Sequence, residues 1–152
     1  MLFLFLTGII FIVEYYIKKH MDRVRTLDEQ RPLVHGTIIL KKYYNTGAAG
    51  NFLSAHPDWM KRMHAVMFGA VSCIFILTLQ KKRQFLAKTG LSFLTGAGMS
   101  NLHDRLVKGH VVDYVSFGCG PQWFRRLVFN MADFFVFAGI ILCAAQIMIE
   151  ED

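Results

Sequence analysis

Two carboxylates are the side chains here best suited to chemistry: Asp113 in GHVVDY and Asp133 in FNMAD. Asp133 sits inside the apolar run LVFNMADFFVFAGIILCAA. An Asp at the centre of a membrane helix costs about 2.5–3.5 kcal/mol. It therefore needs a partner, a water-filled cavity or a proton, and marks a functional site by default. The plainer alternative is a polar contact with Asn130, one turn away, that stabilises a helix bundle. Asp113 lies in the preceding polar segment, and neighbouring helices would let the two acids meet near one membrane surface. Two carboxylates in close approach share one proton. The ionised one can then take a proton from water while the protonated one polarises a carbonyl, without a metal or covalent intermediate.

Asn101, Asp104 and Arg105 share one face of the helix before this loop. Asp104 and Arg105 suit a buried pair, with Arg105 also able to reach a headgroup or substrate carbonyl. Glu14 and Lys18, four residues apart, read most simply as an interface ion pair worth tenths of a kcal/mol. His35, His56, His64, His103 and His110 match no metal-ligand spacing, so no metal or cofactor is expected. Cys73 and Cys143 lie deep in apolar runs and read as small core residues, and Cys119 stands alone in a Gly-rich turn.

The elements that position these residues are mostly apolar helices. Hydrophobic residues make up 54% of the 152 residues, mean hydropathy is +0.37, and the charges are segregated between long apolar runs. That is the pattern of a polytopic membrane protein. We expect one integral-membrane domain over 1–152, mainly α, with four transmembrane helices near 1–18, 59–79, 85–104 and 127–149. The first apolar run lacks the charged start and cleavage site of a signal peptide. Ala65, Gly69 and Cys73, and again Ser92, Gly96 and Ser100, form small-residue stripes suited to close helix contact. The third helix is weakly apolar and reads as packed inside a bundle. Residues 33–52 are rich in β-branched and aromatic residues, with Val34, Ile38, Leu40 and Tyr44 in a period-2 pattern. They predict a small sheet outside the bilayer, followed by a turn at NTGAAGN. Residues 105–126 read as a polar loop.

The net charge of +6 comes from Lys and Arg flanking apolar runs, where anionic lipids attract them, so no nucleic-acid partner is expected. Of the 17 Lys and Arg, only Lys81, Lys82, Arg83 and Lys88 lie on the side of the second loop. The positive-inside rule weighs short loops most, and QKKR is the shortest, so charge alone leaves the orientation open.

Four blocks, in order, resemble the lipoprotein signal peptidase (signal peptidase II) family of bacterial membrane aspartic proteases. EYYIK (14–18) is similar to D-x-x-x-K, and NTGAA (45–49) to N-x-G-A-A. NLHDRLVKGHVVDY (101–114) is similar to N-x-x-D-R followed by G-x-V-V-D-[FY], and FNMAD (129–133) to F-N-x-A-D. The resemblance implies Asp113 and Asp133 as catalytic dyad, and Asn45, Gly47, Asn101, Arg105 and Asn130 as substrate-pocket residues. It implies structural support from Glu14, Lys18 and Asp104. It also implies a place in the bacterial cytoplasmic membrane, with both termini cytoplasmic and the dyad facing the outer leaflet; we expect a monomer in contact with membrane lipids. The implied substrate is a diacylglyceryl-modified prolipoprotein, cut before its lipidated cysteine. Three positions depart from the family pattern: Glu14 for Asp, Ser100 for Gly, and Phe134 for the Ser after the second acid. The rival classes are a proton- or ion-coupled transport bundle using Asp133, which has no need of a loop acid, and a non-enzymatic scaffold.

Overall fold

The computed structural model describes residues 1–27, 29–47 and 54–151. Four long helices dominate them: α1 (Leu2–Val24), α2 (Pro57–Leu79), α3 (Phe85–Val107) and α5 (Met131–Glu151). Two of these, α2 and α5, are long and apolar enough to cross a membrane. Strands β1 (Gln30–Leu33) and β2 (Ile38–Asn45) lie between α1 and α2, while β3 (Val111–Phe117) and the short α4 (Gln122–Arg125) lie between α3 and α5. Helix α2 opens with Pro at its first position and Asp58 in its first turn, both favourable at a helix start. Helix α3 gives way to the turn at Gly109, whose φ of +80° a side chain would resist.

The chain forms two compact units. The first comprises Met1–Glu14, Met63–Leu102 and Met131–Asp152. Here α3 packs tightly on both neighbours. A Cβ added at Gly96 would stand 2.8 Å from the Thr7 carbonyl oxygen, and one at Gly90 would stand 2.6 Å from that of Gly139. Thr7 Oγ1 also donates to the Ser92 carbonyl at 3.4 Å, and Phe93 meets Phe135 edge-on. The stripe Ser92, Gly96, Ser100 is thus a contact face, with both serines at most 2% exposed. The α2 stripe is not: Ala65, Gly69 and Cys73 are exposed, and nothing lies within 4 Å of a Cβ at Gly69. Cys73 is therefore no core residue, and Cys143 is half-buried. Along an evenly apolar helix, hydropathy does not say which face meets protein.

The second unit comprises Tyr15–Arg62 and His103–Asn130. Its antiparallel sheet has the order β1-β2-β3. Pro32 sits on edge strand β1, where a missing N–H is tolerated. Val34 belongs to the 3-10 turn between β1 and β2 rather than to the expected strand. Of the expected turn after β2, residues 48–51 lie outside the described residues. The third strand corrects the reading of 105–126 as a loop: β3 pairs with β2 from Val111 opposite Asn45 to Phe117 opposite Ile38. The register shifts between Leu40 and Tyr43, as at a β-bulge. Phe129 then bridges to Val115, so residues before α5 continue the sheet's pairing. Helix α5 accordingly begins at Met131, not near 127.

Candidate active site

Asp113 stands in the middle of β3 and is 2% exposed. Its register partner is Tyr43, which puts Asn45 at the diagonal position on the same face. Asn45 Nδ2 donates to Asp113 Oδ2 at 2.9 Å. Asn130 Nδ2 donates to Oδ1 at 2.6 Å. One primary amide thus holds each carboxylate oxygen, and both oxygens accept.

The clamp is itself anchored. Gly47 N–H donates to Asn45 Oδ1 at 3.0 Å, fixing the Asn45 amide so that its N–H₂ faces the acid. Arg105 Nη2 donates to the Gly47 carbonyl, tying the end of α3 to the chain just past β2. Asn130 lies immediately before α5, held by the Phe129–Val115 pairing.

Asp104 fixes the start of β3. Its Oδ2 accepts from Val112 N–H at 3.3 Å, one residue before the acid. The same carboxylate takes Lys18 Nζ at 3.4 Å and Lys108 Nζ at 3.1 Å. Lys108 continues to Asp22 at 3.7 Å, and Asp22 accepts from the Tyr44 hydroxyl at 2.6 Å and pairs with Lys42 at 3.7 Å. His110 lies against the Tyr44 ring with centroids 4.1 Å apart. The hydrogen bond to Asp22, with burial, raises the Tyr44 phenol above its usual value. Sequence reasoning missed Asp22 and Lys108. Their signal was present: Lys108 is four residues after Asp104, and Asp22 four after Lys18.

In the helical unit, Asp133 occupies the first turn of α5 and is half-buried. It lies nearer the helix start than the expected helix of 127–149 would place it, because α5 begins later than the apolar run. Glu14 Oε1 accepts from the Ala132 N–H at 3.3 Å, satisfying one of the four open donors at that helix start. Glu14 and Lys18 are each 1% exposed, which overturns their reading as an exposed interface pair. Asn101 is buried on α3 at 9% exposed. Phe134, next to Asp133, is half-buried.

A family model described as signal peptidase (SPase) II matches residues 4–149. The lipoprotein signal peptidase of Ectopseudomonas mendocina (strain ymp) is 30% identical over 143 residues, covering 93% of this chain and 84% of that protein. That of Chromobacterium violaceum is 29% identical over 144 residues, covering 94% and 88%. A solved structure of a bacterial membrane enzyme, obtained by the in meso method at 2.3 Å resolution, superposes with a TM-score of 0.83. It is 16% identical and covers 99% of this chain and 89% of that one, a likeness of fold. The extent of the family match and the identity to a near-full-length relative lead to one conclusion: the chain belongs to the signal peptidase II family.

Proposed function

We propose that this chain is an intramembrane aspartic endopeptidase that removes signal peptides from diacylglyceryl-modified prolipoproteins, cutting before the lipidated cysteine. The observation that carries the reading, beside family membership, is the clamp of Asn45 and Asn130 on the buried Asp113. Asn130 precedes Asp133 by three residues, and three residues span at most about 10–11 Å of extended chain. That short tether supports pairing the two acids as the catalytic dyad. Asp113, with both oxygens already accepting, suits the ionised member that takes the proton of the attacking water. Asp133 then carries the shared proton to the scissile carbonyl. Asn45, Gly47, Asn101, Arg105 and Asn130 line the substrate pocket in this reading, and Glu14, Lys18 and Asp104 hold its frame.

The chain would act as one integral-membrane domain over 1–152. The four long helices would span the bacterial cytoplasmic membrane as a monomeric bundle in contact with its lipids. Both termini and the QKKR loop would be cytoplasmic, and the dyad would face the outer leaflet. The precursor would enter sideways from the bilayer, leaving its acyl chains in lipid. The test is incubation of the purified protein with lipidated and non-lipidated forms of one precursor. We expect cleavage of the lipidated form only, at the bond before the modified cysteine. Asp113→Asn and Asp133→Asn should insert normally and not cut, and full activity in either variant would end the dyad assignment.

A further inference from the structure

The sheet unit carries two adjoining clefts that the catalytic chemistry leaves unused. One, of about 440 Å³, is lined by Lys41, Tyr43, Asn45, Trp123 and Arg126 among others. The second, of about 580 Å³, shares Lys41 and Arg126 and adds Arg125, Gln30 and Gln122. Each falls within the range of roughly 300–1,000 Å³ typical of ligand clefts. Among the described residues no acid lines either one, and Lys41, Arg125 and Arg126 have no ion-pair partner. Other cations of this unit do find acids: Lys18, Lys42 and Arg25 each pair with one among these bridges, and Lys108 with two. Among the described residues the three cations of the clefts thus lack a counter-ion, with Lys41 half-buried and both arginines exposed. The stacked Phe117 and Phe124 rings, with Phe129 beside them, set α4 against β3; Arg125 ends that helix and Arg126 follows it, both with exposed side chains. Burial lowers the Lys41 ammonium below its usual value, so an arriving carboxylate would meet a partly desolvated cation.

The first cleft ends on Asn45, whose amide holds Asp113. A basic cleft continuous with the acid's clamp is placed for the polypeptide on one side of the scissile bond. The signal side of a membrane-inserted precursor is apolar, because charges in hydrocarbon are costly. The chain beyond the cysteine carries no such restriction. We infer that the cleft takes acidic side chains of the precursor's mature segment, just past the cut, with Lys41 and Arg126 as the specificity-determining pair. The inference rests on the reading of the chain as a lipoprotein signal peptidase.

The test uses lipidated precursors identical except for the residues following the cysteine: Asp and Glu in one, Asn and Gln in the second, Lys in the third. At low salt the wild-type protein should favour the acidic over the neutral precursor by about fivefold in kcat/KM. The difference should lie in KM and fade near about 0.5 M salt. Lys41→Gln with Arg126→Gln should bring the ratio to about one. Lys41→Glu with Arg126→Glu should turn the preference to the lysine precursor, a gain that a misfolded protein cannot show. An unchanged ratio in both double variants would overturn the inference. So would activity that tracks the phosphatidylglycerol content of the vesicles whatever the precursor's charge, which would give the cleft to lipid phosphates. Failure of the wild-type protein to cut any of the three would instead overturn the parent reading, and this one with it.

Discussion

Lys18 and Asp104 face each other at 3.4 Å with side chains 1% and 3% exposed, and the same carboxylate holds the backbone N–H of Val112 beside Asp113. Removing one partner of such a buried pair is costly, typically about 3–5 kcal/mol. Asp104→Asn should therefore lower the detergent-solubilised protein's stability by that amount. Lys108→Gln should cost under about 1 kcal/mol, because Lys108 is a quarter exposed. Thermal unfolding of the two variants side by side checks the ranking, and equal losses would refute it.

Asn130 gives Asp113 one of its two amide bonds. A hydrogen bond to a charged group is worth about 1.5–3 kcal/mol. Asn130→Ala should lower kcat roughly ten- to a hundredfold with a smaller change in KM, since in the proposed dyad the lost contact is to a reacting group. Steady-state kinetics on a lipidated precursor measures the split. A change confined to KM would move Asn130 from positioning the acid to binding the substrate.

Glu14 stands at the start of α5 as an acceptor for Ala132. Glu14→Gln keeps an acceptor oxygen there, whereas Glu14→Ala removes it. The alanine variant should lose about 1–2 kcal/mol, and amide exchange at the first turn of α5 should quicken. The glutamine variant should retain most of that protection.

His110 is pressed against Tyr44. Burial pushes its imidazole below the usual histidine value and Lys108 adds to this, while Asp22, Asp104 and a backbone hydrogen bond at Lys108 oppose. The folded-state value is thus below the unfolded one. The stabilising contribution of neutral His110 is whole above about pH 6.5 and is lost as the pH falls further. Wild-type Tm should drop more than that of His110→Gln between about pH 7 and pH 5. Parallel curves would show that His110 does not contribute.

Gly90 and Gly69 separate packed from open helix faces. A methyl at Gly90 would meet the Gly139 carbonyl at 2.6 Å and Cys143 Sγ at 2.8 Å, whereas Gly69 has open space. Gly90→Ala should destabilise by about 1–3 kcal/mol. Gly69→Ala should be neutral or stabilise by up to about 1 kcal/mol through helix propensity. Unfolding of both in the same detergent decides.

Apolar runs made the long helices legible, and the motif blocks singled out Asp113 and Asn130, which the structure brings into hydrogen-bond contact. The strand carrying Asp113 was not. VVDYVSF is buried on nearly every side chain, so the alternation that marks a half-exposed strand is missing, and a carboxylate interrupts it. The start of the last helix was misread for a related reason. Leu127–Phe129 are apolar because they pack beside the sheet, and periodicity does not separate that from a helix. Glu14 binds a backbone N–H 118 residues away, a partner with no side-chain identity to read.

The two amides on Asp113 lie 68 residues before it and 17 after it in the chain. Synthesis proceeds from the N-terminus. As the acid leaves the ribosome, its first amide exists and its second does not. A nascent chain stopped between residues 113 and 130 holds the acid without its Asn130 amide and lacks Asp133 altogether. Under the proposed dyad, competence to hydrolyse is thereby timed to synthesis of the last helix.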